Sequence, residues 1–419
     1  MTIAAETGEA LGDCPGYLRL WTAATVSGFG SYVTNLAIGV LIVLNLHGGS
    51  TEVGLVNAAR WFPYMLFGLV TGVLVDRARR RPLLVVTDLG RGILLLAIPV
   101  LALTQQLNVV SLIALMATFG LMSLVNDAAF QAFVPRLVPP RLLTPAHARL
   151  DQSDGLAQTS GPILAGGLVS LVGAPVAVLV DAVSYLVSGL LLWSVTVPEA
   201  ASHPMSARGV RGEAADGLRW VYHHPTLRAL ALTTHAWFLC SALTGAVVIP
   251  FAMRTLRLSP FDLGLALAAA GVGGLLGSLA AVRLGMRLGA GRVVIACRAA
   301  TALAWALAAL STHSLAGWLL FGAGQFLLGL SMGAENANEM GYRQTVTPDR
   351  LQGRMNATMR SINRSMIVIG APLGGFLGDR IGYSNMLWIA ALGFLTVATT
   401  LGLSRFRGAR LDDAHVNPV

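Results

Sequence analysis

The chain has 419 residues, 55% of them hydrophobic and only 12% charged, with a formal net charge of +9 and a mean hydropathy of +0.68. A soluble globular domain carries roughly 25% charged residues, so this composition excludes one and points to a polytopic membrane protein. Every basic residue is arginine, which removes the P-loop lysine of ATP hydrolysis and the Schiff-base lysine alike.

A net positive charge suits nucleic acid, but here the arginines sit between apolar runs rather than on a hydrophilic face, so they read as topology signals. Cys14, Cys240 and Cys297 are scattered, with no disulfide or metal-ligand spacing. Neither H-E-x-x-H nor a G-x-S-x-G in a catalytic context occurs. The expectation is therefore no catalytic residue, no metal, no cofactor, no ATP and no nucleic-acid partner. The N-terminus is acidic (Glu6, Glu9, Asp13) and lacks a basic n-region, so the first span should act as its own insertion signal.

A helix needs about 20 apolar residues to cross a bilayer. That ruler predicts twelve spans, near 18–46, 52–75, 83–104, 108–134, 155–172, 175–195, 227–253, 262–282, 293–311, 315–338, 362–381 and 384–404. The fifth is interrupted by Gly161-Pro162, and the eleventh carries polar Asn363 and Arg364. Arginines crowd the intervals around 77–81, 136–149, 208–219, 283–292, 343–354 and 405–410, whereas the loops near 47–51, 105–107, 173–174 and 312–314 have none. Short loops rich in Lys and Arg stay in the cytoplasm, so both termini are expected there, in a multi-pass protein of the inner (cytoplasmic) membrane. The predicted layout is a cytoplasmic tail 1–17, a six-helix bundle 18–197, a polar cytoplasmic linker 198–225, a second six-helix bundle 226–404 and a cytoplasmic tail 405–419.

The two halves repeat. Leu18-Arg19 recurs as Leu227-Arg228, Pro139-x-Arg141-Leu142 as Pro348-x-Arg350-Leu351, and Gly161, Gly166 and Gly173 as Gly370, Gly375 and Gly382, all 209 residues apart. Arg91 has Arg298 as its counterpart. Parallel repeats of this kind place the substrate site near the bilayer midplane between the halves.

Between spans two and three lies Gly72-Val-Leu-Val-Asp76-Arg77-Ala-Arg79-Arg80-Arg81. It resembles the G-x-x-x-D-R-x-x-R-[RK] loop of the major facilitator superfamily, at the place where that family carries it. The second copy is degenerate: Arg283, Arg287 and Arg292 remain, with Gly285 where an acid would stand. The resemblance implies an all-α integral membrane fold, with twelve transmembrane helices in two six-helix bundles related by a pseudo-two-fold axis along the membrane normal. It also implies an inter-bundle latch built from Gly72, Asp76, Arg77, Arg80, Arg81 and Asp127, with Arg80 pairing with Asp127 and Asp76 facing span eleven near Asn363. Span five contains Gly161-Pro162-x-x-Ala165-Gly166-Gly167, similar to the antiporter motif G-x-x-x-G-P-x-x-G-G of drug/proton exchangers, with Ala157 and Ala165 in place of two glycines. Val134-Pro135-Arg136, Val180-Asp181-Ala182 and Arg350-Leu-Gln-Gly-Arg354 resemble the bacterial branch of the enterobactin exporter and the macrolide efflux pumps.

Mid-span polar and aromatic residues nominate a substrate cavity of Tyr32, Asn35, Arg60, Tyr64, His235, Trp237 and Gln325, with Trp61 and Phe326 beside them. Arg60 and Tyr64 share a face at i,i+4, and a cation there would suit an anionic ligand. The acids able to couple protons are Glu335 first, then Glu339 and Asp127, with Asp88 and Asp181 behind them; Asp88 and Arg91 form a local i,i+3 pair. The expected activity is secondary active export of an amphipathic small molecule (a drug, antibiotic or siderophore-like compound) by proton antiport and alternating access. The partners are then substrate, protons and the lipid bilayer, with the chain acting as a monomer. An uptake symporter or uniporter of the same fold is the alternative, and a non-transporting membrane receptor a third reading.

Overall fold

The computed structural model of the chain describes residues 11–76, 78–196 and 209–410; the side chains at 15, 69, 70, 72–74, 76, 209–211, 213 and 214 also lie outside the description. In a bilayer the backbone has no water to bond, so each apolar run closes on itself as a helix. Among the described residues these are α1 (Pro15–Leu44), α2 (Ser50–Asp76), α3 (Arg80–Leu103), α4 (Val109–Leu137), α5 (Leu143–Val172), α6 (Ala174–Trp193), α7 (Gly209–His223), α8 (Leu227–Pro250), α9 (Pro260–Leu288), α10 (Ala290–Leu310), α11 (Leu315–Val346), α12 (Asp349–Ile381) and α13 (Tyr383–Gly402). Ten are long and apolar enough to cross a membrane by length and composition. The other two spans, α2 and α12, carry an arginine mid-helix, Arg60 and Arg364.

Helices α1–α6 form one bundle and α8–α13 the other. In the first, α1 packs on α5 and α6, α3 on α4 and α6, and α2 on α4; in the second, α8 packs on α12 and α13, α10 on α11 and α13, and α9 on α11. The bundles meet where α2 lies against α12 and α5 against α9. Mapping α1–α6 onto α8–α13 exchanges those two pairs, as a pseudo-two-fold axis requires. The turns repeat as well: Gly173 and Gly382 both hold positive φ (83° and 91°), a conformation that costs glycine least.

The two ends of the molecule differ. At the end holding the α1–α2 loop, one apolar cluster runs through both bundles, from Leu36, Val40 and Val43 to Ile249, Phe251 and Phe321. At the arginine-rich end the clusters belong to one bundle or the other, Leu20, Leu84 and Phe133 in the first and Leu230, Tyr342 and Phe406 in the second. Among the described residues the core is thus continuous between bundles at one end only.

Two departures from the sequence reading stand out. Helices α5 and α12 begin at Leu143 and Asp349, about a dozen residues before the apolar stretches. Hydropathy registers only the bilayer segment, while the polar first turns of these helices continue past it; at 1.5 Å per residue the 33 residues of α12 reach about 50 Å. Second, the 198–225 interval is not a loop throughout, because α7 occupies its second half. Trp220, Val221 and Tyr222 pack against Ala231, Met355 and Met359, Trp220 Nε1 donates to Thr347 Oγ1 at 3.2 Å, and Arg354 pairs with Asp216 at 2.8 Å. At the α7–α8 corner, burial pushes His224 below its usual pKa, which keeps the ring neutral and lets Nδ1 accept from the Leu227 amide.

The second bundle is held by a seam of small residues. Gly273 and Gly277 of α9 lie against the backbone of Phe326 and Leu330 of α11, Gly329 and Gly333 of α11 lie against Ala270 and Gly274 of α9, and a Cβ on Gly329 would stand 1.8 Å from the Ala270 carbonyl oxygen. Small-xxx-small spacing on both helices brings the backbones together where lipid supplies no hydrophobic drive. Gly329→Val is expected to destabilise the protein by roughly 1–3 kcal/mol through overpacking. The check is a lower unfolding midpoint in detergent, followed with a thiol-reactive dye that reports exposure of buried Cys240 and Cys297.

Candidate functional site

In the first bundle, polar side chains from five helices surround a cavity of about 280 Å³ lined by Ser31, Arg60, Trp61, Tyr64, Asp127 and Tyr185 among others. Arg60 donates to Asn35 Oδ1, and its guanidinium lies 5.3 Å from the Phe119 ring. Tyr64, one helical turn on, donates to Asp127 Oδ2 at 2.7 Å. Below them Arg91 pairs with Asp88 and stacks 4.3 Å over the Tyr185 ring. Asp88 also accepts from Asn126 at 2.9 Å and from Ser188. A buried ion pair holds only where further hydrogen bonds satisfy it, and these neighbours supply them.

The second bundle repeats the device with more charge. Arg298 is fully buried. Its Nε donates to Glu335 Oε1 at 2.8 Å, Nη1 to Thr233 at 2.7 Å, and Nη2 to Thr234 at 2.7 Å and Glu339 at 3.1 Å. Glu339 also meets Arg343 at 3.4 Å. Glu335 Oε2 has no hydrogen-bond partner among the described residues. One arginine therefore serves two glutamates, and one carboxylate oxygen stays available to a proton.

Between the bundles the geometry is different. At the end distant from the arginine loops, Asp379 near the C-terminus of α12 receives the first residues of α2. Oδ1 accepts from Ser50 N at 3.0 Å and Ser50 Oγ at 2.9 Å; Oδ2 accepts from Thr51 N at 2.8 Å and Thr51 Oγ1 at 2.7 Å. A carboxylate on free helix amides is favoured by hydrogen bonding and by the helix dipole. Arg254, on the π-helical turn Phe251–Thr255 after α8, reinforces the contact by donating to the His47 and Gly48 carbonyls at 3.2 and 2.7 Å. Deeper in the interface, Arg364 of α12 stacks 3.9 Å from the Trp61 ring of α2.

The nominated residues divide as follows. Asn35, Arg60, Tyr64 and Asp127 converge at the first-bundle cavity. Tyr32 lies beside it, with its Cβ where a side chain on Gly161 would fall and its hydroxyl 3.5 Å from Asp154. Trp237 is buried against Phe238 and Phe394, since an apolar helix buries its aromatics by azimuth rather than depth. Gln325 is likewise buried, on α11. His235 joins elements, meeting Tyr222 of α7 at 2.8 Å and Asn363 of α12 at 2.6 Å. Gly161, Pro162 and Gly166 sit inside a continuous α5, and Gly166 approaches Gly264 so closely that a Cβ there would stand 3.2 Å from its Cα; Gly167 faces open space. In the basic turn, Arg77 and the side-chain placements of Gly72 and Asp76 lie outside the described residues. Arg80 is buried, and Arg81 donates to the Leu192 and Trp193 carbonyls that end α6.

Sequence reasoning passed over Asp379 and Arg364. A signal for Asp379 was present: Gly375-Phe-Leu-Gly-Asp379-Arg380 repeats the G-x-x-x-D-R of residues 72–77, on the helix that runs antiparallel to α2.

A profile of the family described as transmembrane secretion effector matches residues 15–418. The multidrug efflux pump Tap of Mycolicibacterium fortuitum is 26% identical over 375 residues, 87% of this chain and 90% of that one. The macrolide efflux protein A of Streptococcus pyogenes is 20% identical over 391 residues, 92% and 94% of the two chains. Among solved structures, the nucleoside transporter NupG superposes with a TM-score of 0.74 at 12% identity over 92% of this chain and 98% of that one. A bacterial homologue of the iron transporter ferroportin in an inward-facing state gives 0.74 at 18% identity, over 96% and 100%. These structures share the fold.

Asp379→Asn keeps the shape of the clasp and removes its charge. In a background where Cys14, Cys240 and Cys297 are serine, a cysteine at Ala371, buried on α12 at the same interface, is expected to react about tenfold faster with a bulky maleimide in D379N, the change that losing a charge-assisted bond produces. Equal rates would remove the clasp as a determinant of closure.

Proposed function

This chain belongs to the transmembrane secretion effector family of the major facilitator superfamily, and from that membership we propose that it is a secondary active efflux carrier. It exports an amphipathic small molecule in exchange for protons, with the arginine-rich end in the cytoplasm. The observation that carries the reading is the asymmetry between the two ends. Bundles fused by a common core and a capped helix at one end, and separately packed at the other, are one of the two states that alternating access needs, the one open to the cytoplasm. The relatives named as efflux pumps and the α5 stretch around Gly161-Pro162 favour export over uptake.

In this scheme substrate enters from the arginine-rich end to the Arg60–Tyr64–Asp127 surface. Rocking of the bundles breaks the Asp379 clasp and exposes the substrate to the other side. Proton traffic falls to the Arg298–Glu335–Glu339 network. Glu335 shares its arginine with Glu339, and protonating it removes one of two competing negative charges from a buried site, so the proton and the pairing of Arg298 exchange for each other. Asp127, hydrogen-bonded to Tyr64 at the cavity, connects that exchange to occupancy. Both termini lie in the cytoplasm, so green fluorescent protein fused to the C-terminus should fluoresce and alkaline phosphatase fused there should be inactive.

Glu335→Gln tests the coupling. With fluorescein and rhodamine 6G as test substrates in proteoliposomes, E335Q is expected to abolish accumulation, driven by an imposed pH gradient, of whichever dye the wild type moves, while counterflow of that dye without a gradient persists. Gradient-driven uptake at the wild-type rate would refute the assignment of Glu335.

A further inference from the structure

The two helices that join the bundles bring their arginines together. Arg60 projects from α2 and Arg364 from α12, on either side of Trp61, with guanidinium carbons 5.8 and 3.9 Å from its ring centre. Arg360 stands one turn before Arg364 on the same face of α12, and the fields of Arg60 and Arg360 both reach the Arg364 guanidinium. Like charges at i,i+4 oppose each other, and a cation inside the membrane is costly unless paired; Arg364 is half-buried, and Arg360 is exposed. Yet among the described residues neither Arg360 nor Arg364 forms a hydrogen bond or ion pair; Arg364 has only its rings, Trp61 and Tyr64 at 3.9 and 5.9 Å. The acid whose field reaches Arg364 is Asp127, itself hydrogen-bonded by Tyr64. Asp154 interacts with Tyr32 and Asp151, and no arginine is among its partners; buried Asp181 accepts from Ser184 and is reached by the fields of Arg60 and Arg91. Among the described residues, three guanidinium groups against the carboxylates of Asp127 and Asp181 leave a net positive centre between the bundles, beside aromatic walls.

We propose that Arg60, Arg360 and Arg364 form a shared anion site, and that the exported molecule is an aromatic or amphipathic anion whose carboxylate, sulfonate or phenolate bridges α2 and α12. The anion supplies the missing countercharge, and its ring system continues the Trp61–Tyr64 surface into the first-bundle cavity. Because one arginine comes from the first bundle and two from the second, the ligand draws the halves together at mid-depth. A neutral or cationic compound would leave the centre unbalanced. The assignment rests on the transport reading above, but binding and transport can be scored apart.

Fluorescein and rhodamine 6G share a xanthene ring and carry opposite charge. In anisotropy titrations of the purified full-length protein, fluorescein is expected to bind more tightly than rhodamine 6G. Arg364→Gln should weaken fluorescein about tenfold, one lost charge-assisted contact, with rhodamine 6G unchanged or tighter, and Arg364→Lys should recover most of the loss. Preference for rhodamine 6G, binding of neither dye, or a fluorescein affinity indifferent to R364Q would overturn the anion site. The same dyes in proteoliposomes under a pH gradient separate the two ideas. Gradient-driven movement of rhodamine 6G in preference to fluorescein leaves a transporter and overturns the anion site. Arg364-dependent fluorescein binding without gradient-driven movement keeps the site and removes proton-coupled export.

Discussion

The antiparallel pairing of α2 with α12 is the constraint on which the rest of the structure depends. It joins the bundles, lines the space between them, and carries at mid-span the arginines that hydropathy alone would forbid there, Arg60 and Arg364. Both helices end in G-x-x-x-D-R, at 72–77 and 375–380. Because they run in opposite directions, the two signatures fall at opposite ends of the molecule, each C-terminus beside its partner's N-terminus. At one end the consequence is visible: Asp379 takes up the amides and hydroxyls of Ser50 and Thr51. On the transport reading proposed above, one motif used twice on an antiparallel pair would build two alternative closures from the same local chemistry.

For such closures to alternate, each bundle must move as a unit. The Arg91–Asp88–Asn126–Ser188 cluster and the Arg298–Glu335–Glu339 cluster lie at corresponding positions in the two bundles. Each ties several helices of its own bundle through a buried cation; the three nitrogens of Arg298 all donate, whereas Arg91 Nε has no partner among the described residues. Breaking such a network costs about 3–5 kcal/mol, so it stiffens the bundle, and the Gly273–Gly277 and Gly329–Gly333 seam does the same by backbone contact. The same cluster in the second bundle holds the Glu335 oxygen that has no partner among the described residues.

Much of this was legible in the sequence, for reasons that can be named. Twelve apolar runs of bilayer length leave the backbone little choice but helix, and the 209-residue offsets in Gly, Pro and Arg carried the duplication, down to the matching left-handed turns at Gly173 and Gly382. Depth along a span is readable from sequence, but azimuth is not when a helix is apolar on all sides. That is why Arg60, Tyr64 and Asp127 proved to share a cavity while Trp237 and Gln325, at similar depths, turned into the core. Hydropathy also has no voice outside the bilayer, so the first turns of α5 and α12 and the amphipathic α7 were hidden. Arg364 counted against its span when read as a polar interruption; only the fold puts Trp61 under it. Asp379 was missed because its motif sits at the end where the resemblance places no latch.

The distribution of interaction strengths then follows a rule. Every salt bridge among the described residues stays within one half of the chain: Arg91–Asp88 in the first, and Arg298–Glu335, Arg298–Glu339, Arg343–Glu339 and Arg354–Asp216 in the second. Contacts that cross are of another kind, helix-end hydrogen bonds at Asp379, carbonyl bonds from Arg254 and the stacking of Arg364 on Trp61. Capping and stacking contacts are worth about 0.5–2 kcal/mol each. One charge crossing a 100 mV potential releases about 2.3 kcal/mol. A clasp of caps is therefore weaker than an inter-bundle ion pair, whose rupture costs about 3–5 kcal/mol, and comparable to the energy of one charge crossing the membrane. Strong links inside the bundles and weak links between them let a small energy source move two rigid bodies without unfolding either.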